Sequence, residues 1–399
     1  MARMPYGFAV SWLFAPTVGS ADIDFFRRIK DTPFEYDVMQ VWREHRDEAL
    51  LKFVGKAKLN RFEIRTDHHN PRGDRSRKEF ADAARYHFEV NKDKYDFVIS
   101  HSNEIHSHFV ALGIKKENKK LPWIAYFGDL FERNPYIAHL PGYPKVKEDI
   151  RTERETIKYA DVIVVNNEFQ RDLMFSGDLK KYLDKVVVVP HAYEMSMYDA
   201  APVKFEKKAP FTLMHLGTLY SVKRRAEPIL LAVDRLLTIY PEYKSNFELV
   251  FVGGAPCQAD LDVHKNMKHA DHVHFIGAVG YLESLGLMKY ADALVLIDGI
   301  FNAADDGIEV NPFFACKLAD YMGAKKPIIG ITMEKGLSSE ILKKSQNLTA
   351  GLNVDRIAYV LLRALEGKIH PDYGVYEQFS NEHLISRMSA IISNALKGK

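Results

Sequence analysis

Residues 310–332 read VNPFFACKLADYMGAKKPIIGIT and join an amphipathic stretch to a short apolar run. Lys317 and Asp320 lie three residues apart, a spacing that places both side chains on one face of a helix. The run KPIIGIT that follows has the composition of a buried strand. The stretch therefore predicts a helix that leads directly into a strand of a parallel sheet.

The same alternation of short apolar runs and longer amphipathic stretches continues along the chain and is typical of βαβ units. The apolar runs are rich in Val and Ile and do not alternate with polar residues, as expected for strands covered on both faces. The predicted strands are residues 6–12, 36–42, 95–101, 122–127, 161–166 and 185–190 in the first half, and 211–217, 247–254, 272–277, 293–298, 326–332 and 347–350 in the second. This pattern predicts an α/β protein with two Rossmann-like domains.

The length of 399 residues exceeds one ordinary hydrophobic core and suits two domains. A segment rich in Pro and charge interrupts the pattern midway, and the tail has apolar residues at helical spacing. We predict a first domain over 1–195, a linker over 196–209 and a second domain over 210–370. Residues 371–399 are predicted to form a helix that packs back on the first domain.

Composition narrows the class of protein. Lys and Arg total 55 against 53 for Asp and Glu, a balance that argues against a nucleic-acid partner. The two cysteines, Cys257 and Cys316, are far apart and indicate a reducing compartment such as the cytoplasm. The apolar N-terminal run is broken by polar residues, so we expect a first buried strand there and no signal peptide. No window resembles a membrane-spanning helix.

Ligands of open parallel sheets bind beyond the carboxyl ends of the strands, so the segments after each strand are the candidate sites. The strand 211–217 ends at Gly217 and is followed by Lys223, Arg224 and Arg225 before a predicted helix. Cations at a helix N-terminus oppose its dipole, and a bound anion would remove that cost. The turn predicts a diphosphate site, with a solvated basic turn as the alternative.

Lys317 also lies in the first turn of its predicted helix, at the end where the dipole disfavours a cation. A Lys–Asp pair at this spacing is usually a surface salt bridge. Because a second cation-bearing helix start lies in the same half of the chain, we interpret Lys317 and Asp320 as part of the ligand site.

The first half offers weaker signals. Gly19 lies in a turn after the first strand that lacks the G-x-G-x-x-G pattern, and Asp22 and Asp24 complement a helix dipole better than they indicate a metal site. Asp129 directly follows a predicted strand, either as an active-site acid or as a helix N-cap. His101 ends another strand and is a candidate hydrogen-bonding group of the acceptor site.

Residues 65–80 form a polar, basic stretch that contains Arg72 and Arg75. We interpret it as a loop. It either grips an acidic acceptor or an anionic membrane surface, or it is a mobile solvated segment.

Several motifs together resemble GT-B glycosyltransferases, and most of all the large retaining family four. HLGTLY with its basic cluster resembles the donor-diphosphate turn of that family. ACKLADYMGAKKPIIGI resembles the segment PSKLxEYLAxGKPVI, and PWIAYFGDLFERNPY resembles DPWxxNPY. The resemblance extends over nearly the whole chain and is most specific in the second half.

By position, the resemblance implies that Lys223 and Arg224 neutralise the donor diphosphate, with Lys317 as a further candidate, and that Asp320 binds the ribose hydroxyls. The other implied contacts are Gly277 to Val279 with the base, the turn at Val18 and Gly19 with the diphosphate, and Asp129 beside the reacting sugar. One departure stands out. Pro312 occupies the place of the first acid in the E-x(7)-E motif, and Glu309 lies nearby at the wrong spacing.

The resemblance implies two domains that face each other across a cleft, with the acceptor bound by the first, over 1–195, and the nucleotide sugar bound by the second, over 210–370. It also implies a metal-independent transfer, with retained configuration, from a nucleotide-diphosphate sugar to a hydroxyl. It requires no cofactor. The expected acceptor is a glycan or glycolipid in polysaccharide, glycolipid or glycoconjugate synthesis, and the expected location is the cytoplasm, with peripheral contact at the inner face of the cell membrane. A nucleotide-sugar 2-epimerase of the same architecture and a non-catalytic nucleotide-sugar-binding module are the alternatives.

Overall fold

The structure is a computed structural model that describes residues 3–17, 19–44, 46–66, 73–102, 104–136, 146–202 and 205–398. The chain divides into two compact units. The first comprises Met1–Ala192 together with Asn381–Lys399, and the second comprises Tyr193–Ser380.

The described part of the first unit contains a seven-stranded parallel sheet in the order β3-β2-β1-β4-β5-β6-β7. Most of its central strands are wholly buried, which explains their continuous apolar sequences. The strands are β1 Tyr6–Ser11, β2 Glu35–Val41, β3 Leu59–Ile64, β4 Phe97–His101, β5 Trp123–Phe127, β6 Val162–Val165 and β7 Val186–Val188.

Helices connect these strands, as parallel pairing requires. The last helix of the chain also belongs to this unit and packs against the first one. The helices are α1 Ser20–Lys30, α2 Leu51–Val54, α3 Asp74–Asn91, α4 His106–Glu117, α5 Val146–Tyr159, α6 Glu168–Met174 and, from the end of the chain, α15 Asn381–Lys397.

The second unit contains a six-stranded parallel sheet in the order β10-β9-β8-β11-β12-β13 in the part that the structure describes. Its strands are β8 Phe211–Leu216, β9 Phe247–Val252, β10 Val273–Ile276, β11 Ala293–Ile297, β12 Ile328–Ile331 and β13 Leu348–Ala350. Its helices are α7 Met195–Asp199, α8 Glu227–Ile239, α9 Gln258–Asn266, α10 Tyr281–Tyr290, α11 Ala303–Asp306, α12 Cys316–Ala324, α13 Leu337–Lys344 and α14 Val354–Leu365.

The order of the strands reverses once in each sheet. In the first unit the reversal lies between β1 and β4, and in the second it lies between β8 and β11. Loops on the two sides of a reversal lead away in opposite directions and leave a crevice at the carboxyl ends of the strands, where ligands of this class of sheet bind.

The predicted linker differs from the observed chain path. Residues 195–199 form α7, which packs on α10 and α12, and Tyr198 on this helix is wholly buried and donates a hydrogen bond to the carbonyl of Asp320. The chain therefore joins the second unit at Tyr193, and residues 371–380 remain in that unit.

Two other sequence interpretations are corrected by the structure. Strand β3 was absent from the predicted set because it is a half-exposed edge strand with polar residues inside it. The stretch 65–80 is not a loop throughout, since α3 begins at Asp74. Among the described helices, none combines the length and the apolar composition that crossing a membrane requires.

Candidate functional site

The strands β8 and β11 separate before their carboxyl ends, at the reversal of strand order in the second unit. Their register pairs end at Met214 and Leu294, although each strand continues. Tyr321 of α12 enters this gap, where its hydroxyl accepts a hydrogen bond from the Leu216 N–H at 2.8 Å. The tyrosine thereby ties α12 to the end of β8.

Lys317, in the first turn of α12, extends to the end of β8. A Cβ atom at Gly217 would lie 2.6 Å from the Lys317 Nζ, so only glycine allows the ammonium group this position. Gly217 also has a φ of +127°, which side chains rarely adopt. The end of β9 also packs closely against Gly217, since a Cβ at Gly253 would lie 2.5 Å from the Gly217 carbonyl oxygen.

The electrostatic setting of Lys317 is unusual for a lysine. Its Nζ lies 3.4 Å from the His215 Nε2, and no carboxylate among the described residues forms an ion pair with it. Burial, together with the charge of Arg224, lowers the pKa of Lys317 well below its ordinary value, although Asp298 opposes the shift. An anion bound here would relieve that cost.

The three cations after β8 each have a carboxylate partner. Each cation has a partner far away in the sequence, in the pairs Lys223 with Asp306 at 2.7 Å, Arg224 with Asp298 at 3.5 Å and Arg225 with Asp260 at 3.2 Å. Arg225 also pairs with the nearby Glu227 at 2.7 Å. A bound phosphate would therefore compete with internal acids for these side chains, in contrast to Lys317.

The N-terminus of α8 is occupied. Asp260 of α9 is wholly buried and accepts hydrogen bonds from the N–H groups of Ala226 and Glu227, both at 3.1 Å, as well as from Arg225. The chain itself thus supplies the anion that the dipole argument assigned to a phosphate. The dipole of this helix therefore does not require a bound phosphate, and the assignment of Lys223 and Arg224 to a diphosphate depends on their side chains alone.

Asp298, directly after β11, organises the other side of the crevice. Its Oδ1 accepts hydrogen bonds from the Gly299 N–H at 2.9 Å and from Arg224, and its Oδ2 accepts one from the Ser338 hydroxyl at 2.7 Å. Arg224 also stacks on the ring of Tyr220 at 4.9 Å. The guanidinium group is therefore held at the crevice by contacts on two sides.

Asp320 is buried, and its Oδ1 accepts a hydrogen bond from the Tyr281 hydroxyl at 2.7 Å. Tyr281 begins α10, two residues after Val279, so the predicted base-binding turn and the predicted ribose acid are linked through one side chain. Gly277 is exposed in that turn, and a Cβ there would meet no atom within 4 Å. The structure thus brings the turn and Asp320 together beside α12.

The segment before α12 has no acidic residue at position 312, where the family resemblance places one. Pro312 is buried, and the neighbouring Asn311 donates a hydrogen bond to the Gly299 carbonyl at 3.1 Å. Glu309 is exposed. The loop after β11 is therefore tied to the segment before α12 by an amide rather than by a carboxylate.

His101 lies at the reversal of strand order in the first unit. The Ser11 hydroxyl donates to the Leu13 carbonyl and so accepts a hydrogen bond from the His101 Nδ1–H at 3.1 Å. Burial lowers the pKa of His101 to about 3, and its Nε2 has no partner in the described part of the chain and no access to solvent. Because this nitrogen lies beneath Gly128, direct contact between His101 and an acceptor would require the loop to move.

Asp129 is exposed and follows Gly128 in the loop after β5. No described helix begins there, so the N-cap alternative is not supported. The loop is firmly held, because the side-chain amide of Asn166 donates to the Gly128 carbonyl at 2.6 Å. The buried Glu153 carboxylate, in addition, accepts the N–H groups of Phe131 and Glu132 at 3.0 Å and 2.6 Å.

The D-x-D pair of the first unit is engaged in structural contacts. Asp24 is buried and contacts Arg28 at 2.7 Å, the Tyr126 hydroxyl at 2.7 Å and His191 at 2.9 Å. Asp22 packs where a side chain at Gly19 would otherwise lie. Gly19 is thus required for the close packing at the start of α1, whichever ligand lies near it.

Of the two candidate arginines of the basic stretch, the structure describes only Arg75. Arg75 is on the first turn of α3, is largely exposed and pairs with Glu79 at 2.9 Å. Arg72 and Val18 lie outside the described residues.

No family model matches the sequence, and no curated protein matches it. Solved structures do match over the full length. Sucrose-phosphate synthase from Thermosynechococcus elongatus aligns with a TM-score of 0.70 at 11% identity, covering 100% of both chains. The UDP-forming α,α-trehalose-phosphate synthase from Burkholderia xenovorans, in complex with glucose-6-phosphate, aligns with a TM-score of 0.62 at 10% identity, covering 98% of this chain and 99% of the other.

A protein from Listeria monocytogenes, assigned as a UDP-N-acetylglucosamine 2-epimerase, aligns with a TM-score of 0.61 at 12% identity, covering 100% of this chain and 98% of the other. The chain has the GT-B fold. This result confirms the predicted fold class, two Rossmann-like α/β domains, and at such low identity the similarity establishes the fold alone.

Sequence reasoning missed four residues that build the crevice. Asp298 carried a usable signal, because it is the polar last residue of the predicted strand 293–298 and directly follows the observed β11. His215 and Tyr321 lie inside apolar segments and resemble core residues in the sequence. Asp260 is 34 residues from the backbone N–H it caps, so no local pattern pointed to its role.

Proposed function

We propose that the chain transfers a glycosyl group from a nucleotide-diphosphate sugar to a hydroxyl acceptor. The observation that carries this proposal is the Lys317 ammonium group, which lies at the strand-order reversal without a carboxylate partner among the described residues. A cation in this setting favours an anionic ligand. The fold shared with named glycosyltransferases supports a nucleotide sugar as that ligand.

The chemistry of the step requires stabilisation of the departing diphosphate, on which negative charge builds as the glycosidic bond breaks. In the proposed complex Lys317 and Arg224 supply fixed positive charge, and their positions do not need to change as the charge develops. Lys223 adds to this charge only after it leaves Asp306. In this mechanism the cations act without a divalent metal or a cofactor.

For the nucleoside, we assign the ribose hydroxyls to Asp320 and the base to the backbone between Gly277 and Val279. The support is the hydrogen bond from Tyr281 to Asp320, which places the two groups together. UDP is the first nucleotide to test, because several proteins of similar structure are described as UDP-forming or as bound to UDP.

The finer assignments rest on the family resemblance. We propose retention of configuration, a glycan or glycolipid acceptor, and a polar role for Asp129 beside the reacting sugar. His101, Arg72 and Arg75 remain candidates for acceptor binding, and Gly19 remains a candidate for contact with the diphosphate. Contact with an anionic membrane surface and a role in polysaccharide synthesis belong to the same proposal.

A nucleotide-sugar 2-epimerase is the second candidate, because a protein assigned to that activity has a similar structure over its full length. Both functions require a nucleotide-diphosphate site. They differ in the fate of the sugar, which is transferred or hydrolysed in one case and inverted at C2 in the other.

Binding is tested first. Thermal unfolding of the chain is measured with UDP, GDP, ADP and UMP, since a ligand that binds the native state raises the unfolding temperature according to its affinity. We expect a nucleoside diphosphate to stabilise the chain more than UMP does. Equal shifts for all four, or none, would contradict a diphosphate site.

Turnover then separates the two functions. UDP-glucose, UDP-galactose and UDP-N-acetylglucosamine are incubated with the chain, and free UDP and the configuration at C2 are followed by NMR. Slow release of UDP from one donor supports the transferase. A change at C2 without UDP release supports the epimerase, and binding with neither reaction supports a non-catalytic module.

A further inference from the structure

His215 lies on β8, within the part of the strand that has no register partner on β11. Its side chain is wholly buried, and its Nδ1 lies 3.0 Å from the Val295 carbonyl oxygen of β11. A carbonyl only accepts hydrogen bonds, so the Nδ1 carries the proton. The ring thus replaces a missing contact between the two strands.

This tautomer determines whether the His215 nitrogen that faces Lys317 is a hydrogen-bond donor or an acceptor. With the proton on Nδ1, the Nε2 has a lone pair, and that nitrogen lies 3.4 Å from the Lys317 Nζ. The ammonium group therefore donates one hydrogen to a neutral acceptor. Asp298, the acid of the crevice whose charge acts on Lys317, is already engaged by Gly299, Ser338 and Arg224.

A neutral acceptor differs from a carboxylate in its effect on the site. A carboxylate beside Lys317 would neutralise its charge, whereas an unprotonated imidazole orients the ammonium group and leaves the full charge for a ligand. Burial and the nearby Lys317 both lower the pKa of His215, so the ring stays neutral.

We propose that His215 is a positioning residue of the diphosphate site, whose Nε2 holds the Lys317 ammonium group against Gly217 so that its remaining N–H bonds face the anion. This inference rests on the proposed function, since it assumes that Lys317 binds the donor diphosphate. It concerns His215, the first residue of the HLGTLY motif, to which neither the sequence analysis nor the family resemblance assigned a role.

Two substitutions separate positioning from structural support. In His215→Gln the side-chain amide oxygen reaches the place of the Nε2 and keeps an acceptor for Lys317. In His215→Asn the amide nitrogen reaches the place of the Nδ1 and keeps the donor to Val295 but provides no acceptor. We expect UDP binding, measured by calorimetry, to weaken about tenfold in His215→Asn and less than about threefold in His215→Gln.

The Lys317→Met background provides the control. If His215 acts through Lys317, His215→Asn should cause no further loss of UDP affinity in that background. Equal loss in the Gln and Asn variants, or an undiminished loss in the Lys317→Met background, would overturn the positioning role. Failure of the wild-type chain to bind any nucleoside diphosphate would overturn the proposed function, and this inference with it.

A spectroscopic measurement does not depend on the folding of the His215 variants. The ¹⁵N chemical shifts of the His215 ring report its tautomer and any hydrogen bond to the Nε2. We expect a protonated Nδ1 in the wild-type chain and a shift of the Nε2 resonance in Lys317→Met. An unchanged Nε2 resonance would show that Lys317 is not its partner.

Discussion

Replacing Lys317 by Met and, in parallel, Lys223 by Met tests which cation binds the diphosphate. Both residues are lysines at the same crevice. Lys223 forms an ion pair with Asp306 at 2.7 Å, whereas Lys317 forms none with the described residues. The two variants therefore remove the same charge from different electrostatic settings.

The expected losses follow from these partners. A hydrogen bond to a charged group contributes about 1.5–3 kcal/mol, so Lys317→Met should weaken UDP binding about 10- to 150-fold. Lys223 must first leave Asp306, and the exchange of one anionic partner for another should change the binding free energy by less than about 1 kcal/mol, or about fivefold.

Stability should change in the opposite direction. The lowered pKa of Lys317 means that folding disfavours its charged form, which costs free energy at neutral pH. We therefore expect Lys317→Met, without ligand, to unfold at the same temperature as the wild-type chain or at a higher one. Loss of affinity together with preserved stability identifies a ligand contact.

The assays are calorimetric titration with UDP at two salt concentrations and thermal unfolding of each unliganded variant. Equal loss of affinity in the two variants, or a greater loss in Lys223→Met, would refute the reasoning, because the ion pair with Asp306 would then not determine which cation is available. A large fall in the unfolding temperature of Lys317→Met would refute the stability argument.

Two further predictions concern the fold and the crevice. Burial opposes ionisation of Asp37, but hydrogen bonds led by Lys94 lower its pKa to about 2, so ionised Asp37 stabilises the fold by at most about 2 kcal/mol once the pH is above its ordinary pKa. That contribution disappears as the pH falls toward 2, and Asp37→Asn should flatten the pH dependence of urea unfolding between pH 5 and 2; parallel curves would contradict this. Gly217→Ala should destabilise the chain by about 1–3 kcal/mol and weaken UDP binding, because its Cβ would displace Lys317. Gly277→Ala, whose Cβ meets no atom within 4 Å, should leave stability unchanged, and similar unfolding curves for both variants would count against the steric argument.

The element pattern could be predicted from the sequence because burial on both faces leaves a strong local signal. Every strand of the structure except β3 overlaps a predicted one, and β3 escaped because an edge strand tolerates polar residues. Asp298, the polar residue after β11, could also have been assigned to the crevice from the sequence, because ligands of parallel sheets bind beyond the carboxyl ends of the strands.

The sequence by itself determined the α/β class, the two parallel sheets and the neighbourhood of the site, since periodicity and strand-to-helix turns are local properties. Only the tertiary structure decided which cations are available to a ligand. Asp306, Asp298 and Asp260, which pair with Lys223, Arg224 and Arg225, lie 83, 74 and 35 residues away from them. These residues meet only because the strand order brings the ends of β8, β9 and β11 together. Electrostatic energy depends on distances in space, so the same order that pairs these three residues leaves Lys317 beside a neutral histidine.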